Sequence, residues 1–355
     1  MSINCIHDFS PDLSRSTVEQ TLGRLTVKGE LRAPRLLKKA ARLSELFRVF
    51  ARTAPVPLWA PGLIFTREIR CVTECYLPLA EIEPALINLC QEALRYSAFF
   101  PATPFGHAAS WPDLLERLFP FVCPANPGQL ISQAVEDEGF RRAFLFSLFL
   151  PRRFSGGFQR YPAQLAFIEN WLLTRLRTGG VGIRCLDAAC GCGEGTYDLM
   201  ELLIRGGMTG RDTLVEGVTI EPLELVAAAH GYFPHDPLRE RSFQKVVAPL
   251  VRDAGGIVIR FRPEDVRSTG ALLETYDLIV CNGILGGPLL PERKDMVAVC
   301  RSLAARLKAG GLLVAADRFH DGWTRAVPVA ERARILQDLG LRVIEVGEGV
   351  AGIRS

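Results

Sequence analysis

Residues 186–199, "LDAACGCGEGTYDL", crowd two cysteines, three glycines and three acids into fourteen positions. Such a mixture could hold a metal through its sulfurs, cradle a phosphate with its glycines, or face a cation with its carboxylates. The metal reading needs a second ligand pair. Cys190 and Cys192, like Cys71 and Cys75, lack one at zinc spacing, and none of the ten cysteines forms a C-x-x-C pair. They read as reduced, buried small hydrophobes. A phosphate loop needs G-x-x-x-x-G-K-[ST], and this stretch has no lysine or arginine. The dinucleotide fingerprint G-x-G-x-x-G also fails, because Gly191, Gly193 and Gly195 are spaced G-x-G-x-G. Asp187 and Glu194 would moreover repel a pyrophosphate.

Two carboxylates suit a ligand with positive charge and no phosphate. S-adenosylmethionine, with its sulfonium and amino group, fits that description. Gly191 and Gly193 let the backbone approach it closely. By the logic of the dinucleotide fold, a second acid belongs at the end of the next strand to take the ribose hydroxyls. Glu221 in "VTIEP" stands there, and Asp265 in "FRPEDV" is placed to accept from the adenine amino group.

The elements needed to position these residues follow from the patterning. From about residue 160, short apolar runs alternate with helical spacing. "IRCLDAA", "DTLVEGVTIEP", "GIVIRF", "YDLIVCN", "GGLLVAAD" and "LRVIEVGE" read as strands. "TYDLMELLI", "LELVAAAH", "RKDMVAVCRSLAARL" and "VAERARILQDLG" read as helices. Alternation predicts an α/β, doubly wound, Rossmann-like domain with a parallel sheet over residues 151–355. Residues 1–150 predict a mostly α-helical N-terminal domain, broken at "APVPLWAP" and "CPANPG". "STVE" at 16–19 fits a capping box. Leu36, Ala40, Leu43, Phe47 and Phe50 form one apolar stripe, with Arg35, Lys38, Lys39 and Arg42 on other faces. A further helix is expected through "EIEPALINLCQEALRYSAFF", with Pro84 near its first turn.

At 355 residues the chain has room for two domains, and 48% hydrophobic with 23% charged residues is normal for a globular core. A net charge of +3 gives no argument for nucleic acid or an anionic membrane. The N-terminus lacks a signal-peptide layout. The strongest apolar run, "AFLFSLFL" at 143–150, is far short of the roughly 20 residues a bilayer needs. These features predict a cytoplasmic protein without membrane insertion.

"LDAACGCGEGTYDLMELL" resembles the first motif of class I S-adenosylmethionine-dependent methyltransferases. Its G-E-x-x-Y part resembles the chemotaxis receptor methyltransferase (CheR) family, whose loop runs G-E-E-P-Y-S. Further pieces follow in order. "GGFQRYP" (156–162) resembles that family's T-x-F-F-R segment, which implies that Arg160 grips the cofactor's carboxylate. "AAAHGYF" (227–233) resembles A-x-x-G-x-Y. "YDLIVCNGIL" (276–285) resembles F-D-x-I-F-C-R-N-V-L-I-Y-F, with Asn282 on the asparagine. "LKAGGLLVAAD" resembles the L-K-P-G-G strand. Over roughly residues 154–345 the resemblance implies a Rossmann-like methyltransferase domain using S-adenosylmethionine. The departures fall on the acceptor side. Cys281 replaces arginine, Gly286 and Gly287 replace tyrosine and phenylalanine, and Gly156 replaces threonine. The family's inserted β-subdomain has no room after Gly340, and residues 1–150 have no visible match to its small helical domain.

Methyl transfer from a sulfonium is an in-line displacement that relies on positioning. A carboxylate acceptor is already ionised at neutral pH and needs no base. A phenol or ammonium acceptor would need one, and His230, Asp317 and His320 are the candidates near predicted strand ends. The acceptor is open between a protein glutamate and a small molecule, the latter with the N-terminal half as lid or pocket. A non-catalytic binding module is a third reading. Nucleic acid is disfavoured, because "NGILGGP" stands where amino-methylating enzymes carry asparagine-proline-proline-aromatic.

Overall fold

The computed structural model describes residues 8–53, 66–121, 123–151, 156–177, 182–210, 212–268, 275–286, 290, 292–316 and 328–355. Two compact units divide the chain. One comprises Arg15–Ser155 and Tyr232–Arg241; the other comprises Gly156–Gly231 and Ser242–Ser355 with residues up to Ser14.

The first unit holds α1 (Arg15–Leu25), α2 (Pro34–Thr53), α3 (Arg67–Tyr76), α4 (Leu79–Ala93), α5 (Trp111–Arg117), α6 (Pro127–Glu136) and α7 (Glu138–Phe149). Leu36, Ala40, Leu43 and Phe50 of α2 are buried, as the stripe predicts, and α2 packs on α4 and α6. "APVPLWAP" lies outside the described residues. "CPANPG" ends one loop and starts α6, with Pro127 at the first helical position and the Asn126 side chain accepting from Gly128 and Gln129. Two expectations shift. α1 begins at Arg15, one residue before "STVE". α4 begins at Leu79, which puts Pro84 inside the helix. The apolar run 143–150 is the buried end of α7 and the residue that follows. Among the described residues, no helix is long and apolar enough to cross a membrane.

The second unit is α/β. It contains α8 (Pro162–Arg177), β1 (Arg184–Asp187), α9 (Glu194–Arg205), β2 (Leu214–Thr219) and α10 (Pro222–His230). The chain then passes through α11 (Pro237–Arg252), which starts among the residues of the first unit, to β3 (Val258–Pro263) and β4 (Tyr276–Val280). It ends with α12 (Arg293–Ala305), β5 (Leu307–Ala316), α13 (Val329–Asp338), β6 (Leu341–Val346) and β7 (Gly349–Arg354). The seven strands lie in the order β3-β2-β1-β4-β5-β7-β6. β1 to β5 are parallel to their neighbours, while β7 runs antiparallel to both β5 and β6. The sheet is therefore mixed, where alternation alone predicts a purely parallel one. One face packs Leu186, Ile279 and Leu313 against Met296 and Val299 of α12 and Ile335 and Leu336 of α13. α9 and α10 pack on the strands as well.

The order β3-β2-β1 on one side and β4-β5 on the other reverses at β1. In doubly wound sheets the ligand crevice opens there, beyond the carboxyl ends of the strands. The 186–199 stretch leaves β1 at that point. Phe9 exchanges backbone hydrogen bonds with Phe261 (2.7 and 2.8 Å) and covers the free edge of β3. Below the crevice an ion network braces the sheet. The buried Glu216 of β2 accepts from Arg262 and Arg260 of β3 and from the Tyr276 hydroxyl of β4, and Glu264 pairs with Arg262 and Arg306.

Candidate functional site

β1 delivers Asp187 to the switch point, 4% exposed. Its Oδ2 accepts from the Thr196 hydroxyl at 2.8 Å. A Cβ on Gly195 would stand 3.3 Å from the same oxygen, so the carboxylate lies against the first turn of α9. Burial pushes the Asp187 carboxyl up to about 6, opposed by the hydrogen bonds from Thr196 and the Ala189 backbone.

The turn between β1 and α9 depends on glycine twice. Gly191 has φ +51° and Gly193 has φ +89°. A Cβ at Gly193 would come within 2.8 Å of the Ala228 Cβ, so α10 can approach only a glycine there. At Gly191 the nearest atom to such a Cβ is Glu224 Oε1, at 4.0 Å. The turn is tied down by Cys190 N–H to Val218 O (3.0 Å) and Gly193 N–H to Cys190 O (2.8 Å).

Charge in this turn has one sign. Glu194 opens α9 and is buried. Burial and the surrounding carboxylates of Asp187, Glu224 and Glu194 hold the Cys190 thiol neutral. With Asp187 and Glu194 at its start, the positive end of α9 is already compensated. Among the described residues no group of acids, histidines and cysteines has metal-ligand geometry.

Glu221 stands at the end of β2 as expected, where its Oε1 also caps α10 by accepting from the Leu223 N–H at 3.0 Å. Asp265 follows β3. Both its oxygens accept from Arg267, at 2.9 Å for Nε to Oδ1 and 2.6 Å for Nη2 to Oδ2, and this contact holds its carboxyl below the usual range. Asn282 follows β4 and acts as a brace. It exchanges amide hydrogen bonds with Gln164 of α8 (2.7 and 3.1 Å) and accepts from the Ala316 N–H at 2.7 Å. Arg160 lies half-buried just before α8, its guanidinium 5.2 Å from the Tyr161 ring centre. Gly156 leaves room for Glu194: a Cβ there would meet Glu194 Oε2 at 3.3 Å.

Of the candidate bases, His230 is buried and its Nδ1 lies 2.7 Å from the Asp12 carbonyl, with Phe9 edge-on to its ring. Burial lowers its pKa. Asp317, His320 and Gly287 lie outside the described residues. Cys281, in the place of the family's arginine, is 0% exposed and belongs to the core. Tyr197 of the G-E-x-x-Y piece is also a core residue, donating to the Ala228 carbonyl at 2.9 Å.

Glu224 and Gln164, beside the site, carry no motif signal, and Thr196 and Asp198 lie in the motif stretch without a role read from it. Glu224 accepts from the Thr219 hydroxyl at 2.6 Å. Its position one turn into α10, beside Gly191, is readable only once β2 and β1 are known to be neighbours.

The sequence matches no protein-family model and no curated protein. Several solved structures are similar at low identity. A S-adenosylmethionine-dependent methyltransferase from Methanosarcina mazei is 14% identical; the match covers 53% of this chain and 96% of that one, with a TM-score of 0.34. An amino-pentose methyltransferase from Micromonospora echinaspora, solved with S-adenosylmethionine bound, is 16% identical over 54% of this chain and 90% of its own, with a TM-score of 0.35. An rRNA methyltransferase from Streptomyces viridochromogenes is 18% identical over 56% and 87%, with a TM-score of 0.34. All three are methyltransferases.

Proposed function

We propose that this chain is a S-adenosylmethionine-dependent methyltransferase, with residues 151–355 as the Rossmann-like cofactor domain and 1–150 as a helical N-terminal domain. One observation carries the proposal: the glycine turn at the switch point is lined by buried carboxylates. That arrangement fits a sulfonium and an ammonium and opposes a pyrophosphate. In this reading Asp187 and Glu194 face the cationic part, Gly191 and Gly193 give backbone clearance, and Glu221 takes the ribose hydroxyls. Asp265 lies on the adenine side, where Arg267 shares it. Arg160 holds the cofactor's carboxylate, and Asn282 braces the crevice wall. When bound, the cofactor supplies an electrophilic methyl group. The protein's part is alignment of donor and acceptor and exclusion of water.

The acceptor we favour is a carboxylate, as in the CheR family it resembles, with a protein glutamate as the concrete case. A carboxylate acceptor is already ionised at neutral pH and needs no base. The replacement of the resembled family's acceptor-side residues by Cys281, Gly286, Gly287 and Gly156 favours a second reading, in which the acceptor is a small molecule. A labelled-methyl assay with protein and metabolite fractions separates them. A glutamyl ester releases label as methanol in mild base. Base-stable label on protein contradicts the ester, and label only in small molecules favours the second reading. Cofactor binding without transfer to any acceptor would mark a non-catalytic module.

A further inference from the structure

Residues 156–161 form a short strap that meets α9 at two points. Gly156 lies against the Glu194 carboxylate. Three residues on, the Gln159 N–H donates to Asp198 Oδ2 at 2.7 Å. Glu194 and Asp198 are four apart on α9 and therefore share one face. Gln159 has φ +51°, a conformation that costs a non-glycine residue of its kind free energy unless the surroundings hold it. Two contacts hold it: the Asp198 hydrogen bond, and the ring of Phe158 packed 5.5 Å from that of Phe243. The next residue is Arg160. Asp198 is itself buried, and nothing in the family resemblance assigns it a role. A buried carboxylate that faces Glu194, Glu201 and Asp187 is an expensive residue to keep, since burial and those like charges all oppose its ionisation.

We propose that Asp198 is a positioning residue: by accepting the Gln159 N–H it clasps the 156–161 strap to α9 and fixes the backbone from which Arg160 reaches the cofactor's carboxylate. This inference rests on the cofactor reading above. It separates the amino-acid end of the ligand, which Arg160 would hold, from the nucleoside end, which Glu221 and Asp265 would hold. A residue that merely stabilises the fold would affect both ends alike.

The test is calorimetric titration of the full chain with S-adenosylhomocysteine and with 5′-methylthioadenosine, which lacks the amino-acid end. Asp198→Ala is expected to weaken S-adenosylhomocysteine by roughly ten-fold or more, the size of a lost hydrogen bond that leaves its N–H donor unmet. It should leave 5′-methylthioadenosine within about two-fold, which also reports that the variant is folded. Asp198→Asn keeps a carbonyl acceptor and is expected to restore most of the loss. The double variant Arg160→Ala/Asp198→Ala should bind no more weakly than Arg160→Ala alone, because both changes act through one group. Equal losses for the two ligands, no loss for either, or additive losses overturn the inference while leaving the cofactor reading intact. A wild-type chain that binds neither ligand sinks the cofactor reading, and this inference with it.

Discussion

Asp187 and Asp198 show what burial does to a carboxylate beside other carboxylates. The first is pushed up to about 6 and the second to about 7, from an ordinary value of 3.8, with burial the leading cause in both. Folded-state values above the unfolded ones mean that each ionisation costs the ligand-free fold stability as pH rises through about 6 and about 7. A bound cation beside Asp187 favours its ionised form. Affinity for S-adenosylmethionine is therefore expected to rise as pH passes through about 6 and level off above it; a titration series showing affinity flat or falling contradicts the acid-lined site. Gly193→Ala is a second residue-scale test. It adds a clash with Ala228 to the left-handed strain, whereas Gly207→Ala, at φ +77° in open space, adds strain alone. Thermal melts should place Gly193→Ala below Gly207→Ala, with a total cost of about 2–4 kcal/mol for the former. Asp187, Gly191, Gly193 and Glu194 are legible in sequence because they fall within eight consecutive residues. Asp198 is not, because no local pattern says which distant N–H a helix acid will meet. The pairing of Asp265 with Arg267 lay two residues away and could have been read from that spacing.

Elements of the α/β unit were legible where apolar runs alternate with helical spacing, from β1 through α9, β2 and α10 and again from β3 to β6, while the sixteen-residue helices α8 and α11 went unread. β7 escaped because "GVAGIR" carries two glycines in six residues and little apolar alternation. Its partner turn is Gly347-Glu348, with Glu348 at φ +76°, closing a two-residue hairpin between Val346 and Gly349. The Glu348 carboxylate then accepts from Ala163 N–H at 3.0 Å and so caps α8, a long-range link no short window contains. Glu216 was equally silent: an acid in the middle of a strand is a poor guide to what neutralises it. Removing it leaves Arg262 and Tyr276 without their shared acceptor. Glu216→Ala is expected to destabilise the protein by about 3–5 kcal/mol, read from denaturant midpoints. A change under about 1 kcal/mol would mean the network is dispensable.

At the scale of the whole molecule, composition changes near residue 150, and Arg15–Ser155 falls within one compact unit. What texture could not reveal is that each unit borrows chain from the other side of that point. Tyr232–Arg241 belongs with the helices, while Phe9 pairs with β3 and Asp12 with His230. A fragment of residues 156–355 therefore lacks the cover on β3 and the partner of a buried histidine. It is expected to melt well below the full chain and to bind apolar dyes; a fragment as stable as the full chain would show those links to be unimportant. The most direct test of the central claim is calorimetry of the full chain with S-adenosylmethionine, comparing wild type with Asp187→Ala and with a nicotinamide dinucleotide as the phosphate-bearing control. Binding of S-adenosylmethionine to wild type is predicted, weakened roughly ten-fold or more in Asp187→Ala, with no binding of the dinucleotide. No heat with S-adenosylmethionine, or tighter binding of the dinucleotide, would contradict a cation-selective site at the end of β1.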